Sequence, residues 1–196
     1  MSRICAIILA AGESKRMGTN KLMLTFRGQP MINHVIDHAR QQAIETVLVV
    51  LGAFRDEMLP LLDAKQVSHC YNSEFKQGML SSVQCGFQHL PAGMDAVILF
   101  LGDQPMMPPE VASLLLAAYD QSRKGIVVPV YRDKRGHPVV IDLKYRQVIA
   151  KLNPDEGLHA LLRLYESDVL EINMDRPEIL RDIDDAYDYK HELTIK

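Results

Sequence analysis

Cysteine is scarce in this chain: Cys5, Cys70 and Cys85 are the only three in 196 residues. An odd number, without metal-ligand spacing and in apolar or mixed surroundings, gives no disulfide framework and predicts buried free thiols in a reducing compartment. Long apolar runs are also missing. None approaches the ~20 residues that span a bilayer, and the N-terminal run Ile4 to Leu9 is too short and too soon followed by charge for a secretory signal. The expectation is a cytoplasmic protein with no membrane partner. Nor is there a basic excess: 22 Lys and Arg stand against 25 Asp and Glu, a net charge of −3, which argues against a general nucleic-acid binder. What is present, 47% hydrophobic and 24% charged residues, suffices for a proper core in one domain over residues 1–196.

The chain is organised around its first apolar run and the loop attached to it. Ile4 to Leu9 reads as a buried parallel strand that empties into Ala10-Ala11-Gly12-Glu13-Ser14-Lys15-Arg16-Met17-Gly18-Thr19-Asn20-Lys21. Gly12 and Gly18 allow backbone angles that other residues resist and let main-chain N–H groups approach a ligand. Ser14 adds a hydroxyl donor, and Lys15, Arg16 and Lys21 gather cations over a short stretch. Such a loop suits a di- or triphosphate. It is not the common P-loop, because no Gly-Lys-Ser/Thr closes it, and it lacks the glycine spacing of a dinucleotide-binding turn. A basic surface loop with two turn glycines is the alternative.

Further along, Leu22 to Phe26 reads as a short extended piece and Gly28-Gln29-Pro30 as a turn opening a helix, whose apolar face is Ile32, Val35, Ile36, Ala39 and Ala43. His34 and His38 lie one turn apart, but without a third ligand nearby they read as solvated helix residues rather than a metal pair. Strands follow at Val47 to Leu51 and Val67 to Tyr71, with a helix from Arg55 to Leu62 between them. Strand and helix alternate, the pattern of a doubly wound, mostly parallel α/β sheet with helices on both faces, which gathers ligands at the carboxyl ends of its strands. Gly78 precedes a helix carrying Ser81 and Ser82 in its first turn, either an anion-facing helix start or ordinary capping. Ala96 to Leu101 is the strongest strand and ends in Gly102-Asp103-Gln104-Pro105, which places the Asp103 carboxylate at the tip of a central strand. One carboxylate beside a triphosphate is sufficient for Mg²⁺. After a helix from Pro108 and Pro109 and a strand from Ile126 to Val130, Gly136 permits close approach and His137 can donate to an anion, although a packed strand-edge histidine is equally consistent. The pair Gly157 and Leu158, before a further helix, could line the same side. Asp182 and Asp184 share a face if their segment is extended; a solvated acidic helix start is the alternative.

Four motifs occur in family order: Leu9 to Lys21, Gly102 to Pro105, Arg135 to Val139 and Asp182 to Asp184. Together they resemble the nucleotidyltransferases that build nucleoside-diphosphate derivatives from a nucleoside triphosphate, and most of all the molybdenum cofactor cytidylyltransferases. Asn72 to Val83 resembles the family segment that helps enclose base and sugar. The chain departs from the pattern where Asp185-Ala186 replaces Thr-Pro. The resemblance implies a Rossmann-like nucleotidyltransferase fold and cytidylyl transfer from CTP to a molybdopterin acceptor. Arg16, Lys21 and Asp103 are then catalytic. Leu9, Ala10, Ala11, Gly12, Ser14, Gly18, Gly78, Ser82 and Asp103 bind the nucleotide, Gly136, His137 and Pro138 bind the acceptor, and Asp103 with Asp184 holds Mg²⁺. Ala10-Ala11 resembles CTP- or UTP-using members, whereas guanine-using relatives carry Leu-Ala-Gly-Gly. A molybdenum hydroxylase is the implied downstream partner. Another small phosphate acceptor, another nucleotide, or a non-catalytic cofactor carrier are the alternatives.

Overall fold

The computed structural model describes residues 2–40, 44 and 46–194. The buried run forms β1 (Ile4–Ala10), whose side chains alternate as a doubly covered strand requires: Ile4, Ala6, Ile8 and Ala10 enter one core layer, Cys5 and Ile7 the other. The loop 11–20 ends at a 3-10 turn, Lys21–Met23, capped by Asn20, whose side chain accepts from the Leu22 N–H. A small hairpin follows, β2 (Thr25–Phe26) against β3 (Gln29–Pro30), and α1 (Met31–Arg40) begins directly after it. The extended piece expected from Leu22 is thus only Thr25–Phe26, and Gln29–Pro30 is strand rather than turn. Of the predicted helix face, Ile32, Val35, Ile36 and Ala39 are buried, and Ala43 lies outside the described residues.

The chain continues through β4 (Thr46–Leu51), α2 (Arg55–Ala64), β5 (Ser68–Tyr71), α3 (Met79–Gln88), β6 (Ala96–Leu101) and α4 (Pro109–Gln121). It then forms β7 (Ile126–Tyr131), β8 (Lys134–Arg135), β9 (Val139–Asp142), α5 (Arg146–Ile149), α6 (His159–Leu164), β10 (Val169–Asn173) and α7 (Ala186–Thr194). Arg132 and Asp133 both have positive φ, the demand of a two-residue hairpin turn between β7 and β8.

The main sheet runs β10-β7-β9-β6-β1-β4-β5, with β8 on the end of β7. Every pairing along this path is parallel except those of β9, which is antiparallel to both β6 and β7. Helices α1, α2 and α4 cover one face and α3, α5 and α6 the other. This is the mostly parallel, doubly covered α/β sheet expected from the sequence. Among the described residues, no helix is long and apolar enough to cross a membrane.

The topology places the site. From β1 the chain moves to β4 and β5, then returns to the other side of β1 as β6. The loops after β1 and β6 therefore diverge, and a crevice opens at their carboxyl ends. Leu9 pairs with Leu101, and Gly102 N–H donates to the Leu9 carbonyl at 2.9 Å, so the glycine loop and Asp103 emerge side by side.

Candidate active site

Three loops bring charge into this crevice. Lys21 Nζ donates to Asp103 Oδ2 at 2.7 Å and to Asp184 Oδ1 at 3.0 Å, while Arg16 Nη1 donates to Asp184 Oδ2 at 2.9 Å. The Lys21 side chain is only 12% exposed; Asp103 is 23%, Asp184 43% and Arg16 70% exposed. Burial alone would push the Lys21 ammonium down. The Asp103 charge, then hydrogen bonds to Asp103 and Asp184, outweigh it and hold Lys21 above its ordinary value. The hydrogen bond from Lys21 is likewise the main reason that the Asp184 carboxyl lies below the usual range. Lys21 is a charged pin at the centre of the site.

The loop wraps a cavity of about 380 Å³ whose wall includes five consecutive residues, Gly12 to Arg16, together with Leu9, Ala10, Lys21, Asp103 and Asp184. A second cavity, about 370 Å³, shares Leu9, Gly12, Asp103 and Asp184 with the first. Its other walls are Ala11, Gly78, Ser82 and Asp182, with Phe75, Met79 and Leu101 supplying apolar surface. Cationic side chains line the first compartment, and the second is free of them. Ala11 reaches the second because Gly52 lets it: a Cβ at Gly52 would stand 2.3 Å from the Ala11 carbonyl oxygen and 2.7 Å from its Cβ.

The glycines divide by physical cause. Gly78, before α3, has φ +97 and ψ −178, a conformation essentially confined to glycine. Gly12 has no positive φ and no protein atom within 4 Å of an added Cβ, so neither strain nor packing demands glycine there. The left-handed residue at that end of the loop is Ser14, at φ 46, whose carbonyl accepts from Met17 and Gly18 N–H and whose Oγ accepts from Lys21 N–H at 3.4 Å. Gly18, at φ +68, closes that turn and lines neither cavity.

The serines of α3 do not cap it. Asn72 Nδ2 donates to Ser81 Oγ at 2.8 Å and to Ser82 Oγ at 3.0 Å, which ties the end of β5 to the first turn of the helix beside the second cavity. Asp185 caps α7 instead: its Oδ1 accepts from Tyr187 and Asp188 N–H, while Asp188 Oδ2 accepts in return from Asp184 and Asp185 N–H. This reciprocal capping fixes Asp184 without the Thr-Pro of relatives.

Gly136, His137 and Pro138 stand at the same end of the sheet, just before Val139, which pairs with Leu99, but they line neither cavity. The close approach that Gly136 permits is to the chain itself, since a Cβ there would meet the Ile179 carbonyl oxygen at 2.4 Å. His137 N–H donates to that same oxygen, and Gln104 Nε2 joins it at 3.4 Å while donating to Asp182 Oδ1 at 2.7 Å. Burial, and then the neighbouring His159, lower the His137 imidazole to about 4. Asp182 is the residue sequence reading left out of the site. Its carboxyl is held above the usual range by burial and by the charge of Asp103; the alternation that puts it on the face of Asp184 was the available signal. His34 and His38 are not the solvated residues expected: both are half-buried, and His34 meets the Phe26 carbonyl at 2.7 Å and the Phe26 ring edge-on.

Two carboxylates that converge on one cation, with a third close by, form an all-oxygen donor set that fits a hard divalent ion. The Lys21 ammonium now holds the point of convergence, so an ion bound by Asp103 and Asp184 must share or displace that contact.

The sequence profile of the MobA-like NTP transferase domain matches residues 6–170. The bifunctional protein GlmU of Sorangium cellulosum is 31% identical over 127 residues, 61% of this chain and 27% of that protein. The chain spans about a quarter to a third of the length of the curated relatives it matches. Rv0371c of Mycobacterium tuberculosis H37Rv is 25% identical with a TM-score of 0.88, over 99% of this chain and 98% of its own. Molybdopterin-guanine dinucleotide biosynthesis protein A of Archaeoglobus fulgidus, 14% identical with a TM-score of 0.73 over 96% of each chain, shares the fold. With the profile match over most of its length, the chain, whose crevice opens at the switch point of its sheet, belongs to the MobA-like NTP transferase family of nucleotidyltransferases.

Proposed function

We propose that this nucleotidyltransferase moves a cytidylyl group from CTP to the phosphate of a molybdopterin-type acceptor. An acceptor phosphate oxygen bonds to the α-phosphorus, the bond from that phosphorus to the β-phosphate bridging oxygen breaks, and pyrophosphate leaves with the electron pair. The observation that carries the reading is Lys21 pinned between Asp103 and Asp184 where the two cavities meet.

The triphosphate lies in the first cavity against the main chain of Gly12 to Arg16, and the absence of a side chain at Gly12 leaves it room. Arg16 and Lys21 offset the charge that grows on the leaving pyrophosphate, and the exposed Arg16 can leave Asp184 to do so. Asp103 and Asp184 would hold Mg²⁺, which neutralises phosphate charge when bound. The base and ribose occupy the second cavity between Ala11, Gly78 and Ser82. The buried Ala11 methyl narrows that cavity and supports a pyrimidine. The half-buried His137, held between the buried Gly136 and Pro138, is uncharged at neutral pH and would donate one hydrogen bond to the acceptor. Alignment and charge neutralisation suffice, without a protein nucleophile. The product would pass to a molybdenum hydroxylase.

A panel of CTP, GTP, UTP and ATP, each with Mg²⁺ and either molybdopterin or a sugar or alcohol phosphate, tests the assignment by pyrophosphate release. Release only with CTP and molybdopterin is expected. Release with another pair reassigns base or acceptor, CTP binding without any release means that the acceptor is wrong, and no binding of any triphosphate moves the cofactor-carrier reading to the front.

A further inference from the structure

A second cluster of ligand atoms lies away from the crevice, between the outermost strand and the helix that covers it. Cys70, on β5, and Cys85, on α3, are both buried, and their sulfurs are 3.7 Å apart. His89 follows Cys85 by one helical turn and is the exposed member, its Nδ1 3.8 Å from Cys85 Sγ. One ligand atom from each residue lies within 4.8 Å of the others. Among the described residues, no other group of three histidine, cysteine or carboxylate ligand atoms gathers as closely.

We propose that Cys70, Cys85 and His89 form a zinc site. Thiolates bound at about 2.3 Å to a tetrahedral zinc stand about 3.7–3.8 Å apart, so the two sulfurs need almost no movement. Two thiolates neutralise the ion, which makes it tolerable between two buried side chains, and a soft sulfur-rich set selects against Mg²⁺. The imidazole is the mobile ligand: His89 Nδ1 is 2.9 Å from the Cys85 carbonyl and exchanges that contact for the metal by a small rotation. Three protein ligands leave the fourth position to water, on the exposed His89 side.

The position gives the ion a mechanical consequence. Among the described residues β5 pairs with one strand, β4, and Asn72, two residues beyond Cys70, holds Ser81 and Ser82. A zinc ion bridging Cys70 and Cys85 clamps β5 to α3 a second time, behind the wall of the second cavity.

The test uses the full chain, reduced with a phosphine, stripped with a chelator, and titrated with Co²⁺ in excess Mg²⁺ so that the oxygen site is occupied. The expected result is one equivalent of Co²⁺ with thiolate-to-cobalt charge-transfer absorption, bleached by Zn²⁺, retained in Asp103→Asn and lost in Cys70→Ser and Cys85→Ser. His89→Ala should weaken Co²⁺ binding at least ~10-fold. Cobalt bound without charge transfer, or a band that survives both cysteine substitutions, would overturn the site. Because those variants remove buried side chains, the wild type supplies an independent readout: stoichiometric Zn²⁺ should slow iodoacetamide alkylation of Cys70 and Cys85 at least ~10-fold. Unchanged alkylation, or a Cys70–Cys85 disulfide that forms in air and takes up no zinc after reduction, would equally refute it.

Discussion

Replacing Lys21 with methionine removes one positive charge from between two carboxylates while keeping most of the side chain's apolar bulk. Asp103 Oδ2 and Asp184 Oδ1 both lie within 3.0 Å of Lys21 Nζ, so the two oxygens are less than about 6 Å apart. At an effective dielectric constant near 20, two negative charges at that separation repel by about 3 kcal/mol. Asp184 is 43% exposed, and solvent screening reduces the net cost to about 1–2 kcal/mol. The pH dependence comes from Asp184, whose folded value is depressed chiefly by Lys21. Its contribution is present above the unfolded value near 4 and is lost as the pH falls through the lower folded value. The wild type should therefore exceed Lys21→Met by the full amount at pH 7, and the difference should close below about pH 4. Mg²⁺ takes the vacated position, so millimolar Mg²⁺ should stabilise the variant more than the wild type, while turnover falls at least ~100-fold. Urea unfolding at the two pH values, with and without Mg²⁺, reads all of these except turnover. Equal stability at pH 7, or a loss that neither acid nor Mg²⁺ relieves, would refute the pin.

Other substitutions probe the walls. Gly52→Ala drives a methyl into the Ala11 main chain and should cost about 2–4 kcal/mol in urea unfolding, because backbone rather than a flexible side chain must move. Gly78→Ala meets no neighbour but must adopt a backbone conformation that L-residues avoid; a loss of about 1–3 kcal/mol and weaker CTP binding by calorimetry are expected. His137 titrates near 4 in the fold against about 6.5 unfolded, so the unfolded chain takes up the proton first as the pH falls. Stability should drop through that window by on the order of 2–3 kcal/mol, and His137→Asn should flatten the slope.

The centre of the sheet was legible because its strands are apolar runs: the predicted span of β6 coincides with the observed one, and β1 and β4 each extend one residue beyond theirs. Asp103 and the Gly12 loop could be placed for the same reason, as they follow the two strands that flank the switch point. The direction of β9 was not legible, since Val139 to Ile141 is equally apolar whichever way it runs. Nor was the role of Gly136, which is set by Ile179, more than forty positions away. Sequence reading credited Gly12 with unusual backbone angles that belong to Ser14. Local spacing also hid the meeting of Cys70 and Cys85, because a strand and a helix are brought together only by tertiary packing. Where Asp185-Ala186 replaces Thr-Pro, Asp185 and Asp188 supply a reciprocal cap that also holds the Asp184 N–H, a pairing that single motif positions did not announce.

The most direct test of nucleotidyl transfer tracks two labels on CTP, one at the α-phosphorus and one at the γ-phosphorus, in the presence of Mg²⁺ and molybdopterin. Transfer predicts that the α-label enters the acceptor mole for mole with γ-label entering pyrophosphate, and that Asp103→Asn abolishes both. Recovery of the γ-label as inorganic phosphate, or of the α-label as free CMP, would mean hydrolysis and contradict it.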